Sequence, residues 1–192
     1  MSEKKPLRST DTAQFYDELL VSLTQSGDRK AADQLVKRWH PRLLSAARRY
    51  ANDPGLAEQL VQDCWVGIWR GIGGLRDPSR VAPWAFSILR NKGAKTIRSQ
   101  ISDRERLGAA EEEAAPALQE DSAALDQAFT ALSPDQRLAA HLHFIEGLTL
   151  QEIAKVQRIP VGTAKSRLFH ARQKLKAALS KETGTEFKGE TS

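Results

Sequence analysis

The sequence predicts an all-α protein made of two small helical domains, and three observations carry that prediction. Almost every long segment repeats its apolar residues at helical spacing, and no stretch alternates apolar and polar residues as a half-buried strand would. Charge is also segregated along the chain: residues 14–100 hold 14 basic and 8 acidic side chains, residues 101–126 hold 2 and 8, and residues 127–180 hold 8 and 3. Two cationic blocks around an anionic one suggest two modules that meet a polyanion, joined by a segment a polyanion would repel. The expected organisation is a disordered tail over 1–13, a first domain over 14–100, a flexible acidic linker over 101–126, a second domain over 127–180 and a polar tail over 181–192.

Composition bounds the function. A chain of 192 residues with 40% hydrophobic and 28% charged residues buries one or two small cores and excludes a large enzyme. The net charge of +5 is modest, so its clustering is what matters. Cys64 is the single cysteine, which rules out an intrachain disulfide and points to a reducing compartment. Met1–Thr10 lacks the apolar stretch of a signal peptide, and nowhere do 18 apolar residues run together. The expectation is a soluble, cytoplasmic protein.

Taken in order, residues 14–26 carry Leu19, Leu20 and Leu23, and residues 28–50 carry Leu35, Val36, Trp39, Leu43, Leu44, Ala47 and Tyr50 at helical spacing, with Pro41 marking a kink. Asn52-Asp53-Pro54-Gly55 is a turn in which Asp53 caps the next helix and Pro54 opens it. That helix has Ala57, Leu60, Val61, Cys64, Trp65, Ile68, Trp69 and Ile72 on one stripe, and Glu58, Gln59, Gln62, Asp63 and Arg70 off it. Three Gly and two Pro between 71 and 83 predict a loop. A further helix from Pro83 to Arg98 places Trp84, Ile88 and Ile97 inward, while Arg90, Asn91, Lys92, Lys95 and Arg98 form an acid-free face suited to phosphates and bases.

In the second domain, Leu125, Ala128, Phe129 and Leu132 lead into Ser133-Pro134-Asp135-Gln136, which combines an N-cap, a first-turn proline and a glutamine three residues on. Gly147 ends that helix. Thr149-Leu150-Gln151-Glu152 is a second capping box, opening a short helix that stops at Arg158-Ile159-Pro160 before another begins near Val161. Two helices across so tight a break form a helix-turn-helix, and the later one carries Lys165, Arg167, Arg172, Lys174 and Lys176 without an acid.

These blocks carry a resemblance. Ala57–Trp65, Trp84 to Arg90-Asn91 and on to Arg98, Leu132–Arg137, Glu146–Thr149, Glu152–Ala154 and Gly162–Leu168 resemble, in the same order, the two-domain bacterial sigma factors of the extracytoplasmic-function (ECF) group. The likeness covers about residues 14–100 and 127–180, and the domains would be those called region 2 and region 4. It implies that Glu58, Gln62 and Asp63 dock on core RNA polymerase, and that Arg76 and Arg80 of the 71–83 loop, with Arg90, Asn91 and Arg98, hold unstacked bases of a promoter's minus-ten element. It implies that Thr163, Lys165, Ser166 and Arg167 open the helix reading the minus-thirty-five element, with Arg172 and Lys174 toward its backbone. An anti-sigma factor, often membrane-bound, is the implied inhibitor; no cofactor, metal, small-molecule substrate or catalytic residue is implied. Gln59, Lys95, Arg158 and His170 depart from the family's usual residues, and a left-handed Arg158 in place of Gly raises a backbone question.

The rival is a stand-alone helix-turn-helix regulator, which explains residues 133–179 and leaves 57–98 without a task. An enzyme is poorly supported. His141 and His143 lie two apart on a helix and so diverge, and Cys64 falls on the apolar stripe.

Overall fold

The computed structural model describes residues 9–51, 53–107, 129 and 131–183, with side chains described for 12–51, 53–96, 129 and 131–177. Residues 108–126 of the acidic linker and 184–192 of the C-terminal tail lie outside the described residues. The described residues form seven α-helices: α1 (Ser9–Gln25), α2 (Arg29–Ala51), α3 (Pro54–Gly71), α4 (Val81–Leu107), α5 (Pro134–Phe144), α6 (Leu150–Gln157) and α7 (Val161–Thr183). Short 3-10 turns at Ile72–Gly74 and Pro78–Arg80 join α3 to α4.

The caps fall where the sequence puts them. Asp53 accepts from the Leu56 backbone N–H at 2.6 Å and Pro54 occupies the first turn of α3. Pro41 lies inside α2, which continues across it from Arg29 to Ala51. Two boundaries differ from expectation. α1 begins at Ser9, inside the segment assigned to the tail, and buries Asp17, Leu20 and Val21 two turns and more further along. α4 starts two residues early and runs to Leu107, into the acidic segment, so the start of the linker is helical.

In the first domain α1, α2, α3 and α4 surround Leu35, Trp39, Leu43, Leu60, Cys64, Phe86 and Leu89, all almost fully buried. Burial pushes the Cys64 thiol up to about 12, only slightly offset by Lys92. Two apolar expectations fail in detail. Leu19 and Leu23 are exposed on α1, and Trp69 is 42% exposed, stacked on half-buried Trp65 at 5.5 Å. α2 turns its core stripe toward α4 at close range: a Cβ on Gly93 would lie 2.5 Å from Tyr50 Cε1.

The second domain packs α5, α6 and α7 on one another, with Ser133 and Thr149 each completing a reciprocal capping box. The two domains also touch. α5 lies against α2, α6 lies against α4, and one continuous apolar cluster runs from Leu35 and Phe86 to Leu142 and Ile153. Arg49 sits over the Phe129 ring, 4.2 Å from its centroid.

Candidate nucleic-acid and polymerase interfaces

The helix-turn-helix is set by its caps and by one left-handed residue. α6 ends at Arg158 with φ 54° and ψ 51°, the sole positive-φ residue other than glycine among those described. Its backbone N–H donates to the carbonyls of Ala154 and Lys155, and Ile159 donates to Ala154 at 3.0 Å, so the turn satisfies the end of α6 despite the side-chain penalty. α7 then buries Ala164, Leu168, Ala171 and Leu175 against α5 and α6.

The residues opposite that stripe face solvent. Thr163, Lys165, Ser166 and Arg172 are exposed, as a base- and phosphate-reading surface requires. Arg167 and Lys174 are engaged within the domain. Arg167 is half-buried: Nη1 donates to Gln157 Oε1 at 2.8 Å and Nη2 meets Asp135 Oδ2 at 3.0 Å, while Gln157 Nε2 donates to the Asp135 carbonyl at 2.8 Å. This triangle ties α7 to α6 and to the first turn of α5, so in this arrangement Arg167 orients α7. Lys174 Nζ donates to the Ala131 carbonyl at 3.2 Å.

Sequence reasoning did not single out Phe169. It is 58% exposed on the outward face of α7, one turn from Lys165 and Ser166, with its ring edge-on to His170. The signal was present, since Phe169 falls off the apolar stripe of Ala164, Leu168 and Ala171. A solvent-facing phenyl group has the apolar character that contact with a thymine methyl requires.

On α3, Glu58, Gln59 and Gln62 are exposed and Asp63 is half-buried. Val66, 45% exposed, and Trp69 continue the same face by successive turns, giving it an apolar end; of the two, Trp69 was expected on the buried stripe. The α3–α4 connection is anchored by Gln25 Nε2, which donates to the carbonyls of Ile72 at 2.7 Å and Leu75 at 2.8 Å. Within it Arg76 is exposed, and Arg80 pairs with Asp77 at 2.9 Å. The Ser79 hydroxyl and, secondarily, Arg80 hold the Asp77 carboxyl below its usual range. Arg90, Asn91 and Lys92 are half-buried along α4 and Lys95 is exposed; the side chain of Arg98 lies outside the described residues. No group of three His, Cys, Asp or Glu suited to a metal occurs among the described residues. His141 is fully buried and His143 exposed, so the two diverge as their spacing predicts.

The Sigma-70 region 2 family matches residues 35–101, and the Sigma-70 region 4 family matches residues 122–175. The ECF RNA polymerase sigma-E factor of Escherichia coli K12 is 30% identical, over 83% of this chain and 92% of the relative. The chain belongs to the ECF group of the sigma-70 family. The RNA polymerase sigma-H factor of Pseudomonas aeruginosa is 29% identical to this sigma factor, over 86% of it and 95% of the relative. Among solved structures, the Bartonella quintana sigma factor RpoE, in complex with the anti-sigma factor NepR, superposes with a TM-score of 0.70 at 28% identity, covering 79% of this sigma factor and 98% of that chain. CnrH, in complex with the cytosolic domain of CnrY, gives 0.61 at 25% identity, covering 87% and 99%. As a sigma factor the protein is a DNA-binding initiation factor, and among the described residues no helix is long and apolar enough to cross a membrane.

Proposed function

We propose that this sigma factor carries core RNA polymerase to the promoters of a specific regulon through three surfaces: the α3 face of Glu58, Gln62 and Asp63 on polymerase, the loop and α4 on the melted minus-ten element, and α7 on the minus-thirty-five duplex. The observation that carries this reading is the pairing, in one chain and in family order, of a region 2 domain with a capped helix-turn-helix whose outward face is cationic.

The mechanism is binding without covalent chemistry. α7 enters the major groove, with Thr163, Lys165, Ser166 and Phe169 toward base edges and Arg172 toward phosphates, while Arg167 fixes the angle of the helix through Asp135 and Gln157. Bases that flip from the melted element meet Arg76, Arg80, Arg90 and Asn91 in the first domain. Unstacking costs a few kcal/mol per base, and a stacking or cationic platform returns about 1–3 kcal/mol per captured base, so trapping the open strand shifts the duplex equilibrium. The reaction at the start site is polymerase's own, and the sigma factor acts in the cytoplasm with no cofactor.

The solved structure of RpoE holds the anti-sigma factor NepR, and that of CnrH holds the cytosolic domain of CnrY; the first supports control of this chain by an anti-sigma factor. The test is reconstitution. The purified chain with core polymerase should give run-off transcripts from a subset of a linear promoter library, and neither component should do so alone. Sequence-specific footprints by the chain without polymerase, with no transcripts in its presence, would favour a stand-alone regulator.

A further inference from the structure

We propose that the free chain is held closed by a polar latch centred on Arg42, and that this latch must open before one molecule can engage both promoter elements. Arg42 of α2 is a hub. Nη1 donates to Asp17 Oδ2 of α1 at 3.1 Å; Nε and Nη2 donate to Glu146 Oε2 at 2.9 and 2.7 Å; and the guanidinium lies over the Trp39 ring, 3.9 Å from its centroid. Arg38 supports it by also pairing with Asp17. Glu146 belongs to the second domain, in the turn between α5 and α6, and its side chain is only 4% exposed. Its other oxygen lies 3.5 Å from Nε2 of fully buried His141. Burial alone would raise the Glu146 carboxyl, but His141 and Arg42 outweigh it and hold the group below its usual range.

Geometry makes the closed state exclusive. α4, which carries the residues assigned to the minus-ten element, and α6, the first helix of the helix-turn-helix, approach with Cα atoms within 8 Å. Promoter elements about 25 base pairs apart are separated by roughly 85 Å of duplex. No closed chain spans that. The 21 residues between Leu107 and Phe129 reach roughly 70 Å when fully extended, which together with the domains' own dimensions bridges the gap.

The chemistry makes the closed state reversible. The apolar cluster shared by the two domains supplies the adhesion, and the ion pair decides whether closure is allowed: with Arg42 in place its attraction offsets the hydration that Asp17 and Glu146 lose, and without it the buried carboxylates are left unpaired, which opposes closure. Asp17 and Glu146 converging on one guanidinium therefore act as a register for closure.

This inference rests on the two-element reading above, and the test separates the two. Cys64 is fully buried, so spin labels attach selectively to cysteines placed at exposed Asp33 and Ala177. In the free full-length chain the inter-label distance should be short and narrowly distributed. Arg42→Ala should lengthen it by tens of ångströms and broaden it, with the far-UV circular dichroism unchanged; Glu146→Gln, which keeps the shape and removes one charge, should shift it the same way to a smaller extent. Core polymerase with promoter DNA should give the long distance in every variant. If both substitutions leave the wild-type distribution unchanged, the latch is refuted. If Arg42→Ala fails to fold, Glu146→Gln alone decides. A polymerase complex that never forms would instead overturn the functional reading.

Discussion

Replacing Gly93 by alanine tests how α4 is held against the first domain's core. A Cβ at that position would stand 2.5 Å from Cε1 and 2.8 Å from Cδ1 of Tyr50, and 3.4 Å from Leu60 Cδ1. Tyr50 is 3% exposed and Leu60 is fully buried, so neither side chain can swing into solvent to make room. Alanine gains about 1 kcal/mol of helix propensity over glycine. Overpacking a tight core costs about 1–3 kcal/mol, and a contact this short belongs at the upper end. The net expectation is a loss of about 1–2 kcal/mol, read as a urea midpoint lower by roughly 0.5–1 M for a slope near 2 kcal/mol/M. Trimming Tyr50 to leucine should remove most of the penalty, so Gly93→Ala should cost less in the Tyr50→Leu background than in the wild type. A midpoint for Gly93→Ala equal to or above wild type, or equal costs in the two backgrounds, would refute the claim that glycine is required by the close approach of α2 and α4.

Four further outcomes are expected. Arg158→Gly should stabilise the chain by about 0.5–1 kcal/mol, because relief of the left-handed arginine exceeds the entropy cost of glycine; a lower urea midpoint would count against it. Arg167→Ala should weaken both the second domain, by about 1 kcal/mol given the partial exposure of the triangle, and its minus-thirty-five duplex affinity, whereas Phe169→Ala should reduce duplex affinity with no change in melting. Calorimetry and fluorescence anisotropy distinguish the two, and identical effects would refute the division of roles. Asp63→Lys should reduce co-elution with core polymerase on gel filtration while leaving the melting temperature within a degree or two; an unchanged complex would remove that face from the interface. Finally, because burial raises the Cys64 thiol in the folded chain, its contribution to stability is complete below pH 9 and is lost as pH rises from about 9 toward 12. Wild type should therefore lose stability over that window more steeply than Cys64→Ala, and a thiol reagent at neutral pH should label Cys64 only after unfolding.

Local signals in the sequence carry far. Asp53, Ser133 and Thr149 cap the helices they precede, and Cys64, Ala164, Leu168 and Ala171 are buried on the stripes that periodicity assigns them. These features depend on neighbours within one or two turns, so they are written in the spacing of a few residues. The errors arise where a remote partner decides. Trp69 and Leu19 sit near apolar stripes yet face solvent, because the neighbouring helices cover only part of each arc.

The site divides in the same way. Ser166 is exposed because helix phase places it opposite the core, and Lys165 and Arg172 are exposed on the flank of the stripe that no helix among the described residues covers. Arg167 is equally basic and equally close to the start of α7, yet it is drawn inward by Asp135, 32 residues earlier in the chain. Nothing in its immediate context distinguishes it.

The amino-acid order by itself thus determined the helices, their caps, the two-part organisation and the family, since each follows from periodicity, turn chemistry and motifs read over short distances. Only the tertiary structure decided which basic residues of α7 face solvent and which are held by partners within the domain, and that Arg42 joins the two domains through Glu146, 104 positions away. The physical reason is that an ion pair or a close helix approach is fixed by where folded elements bring atoms together, and separation along the chain carries almost no record of it.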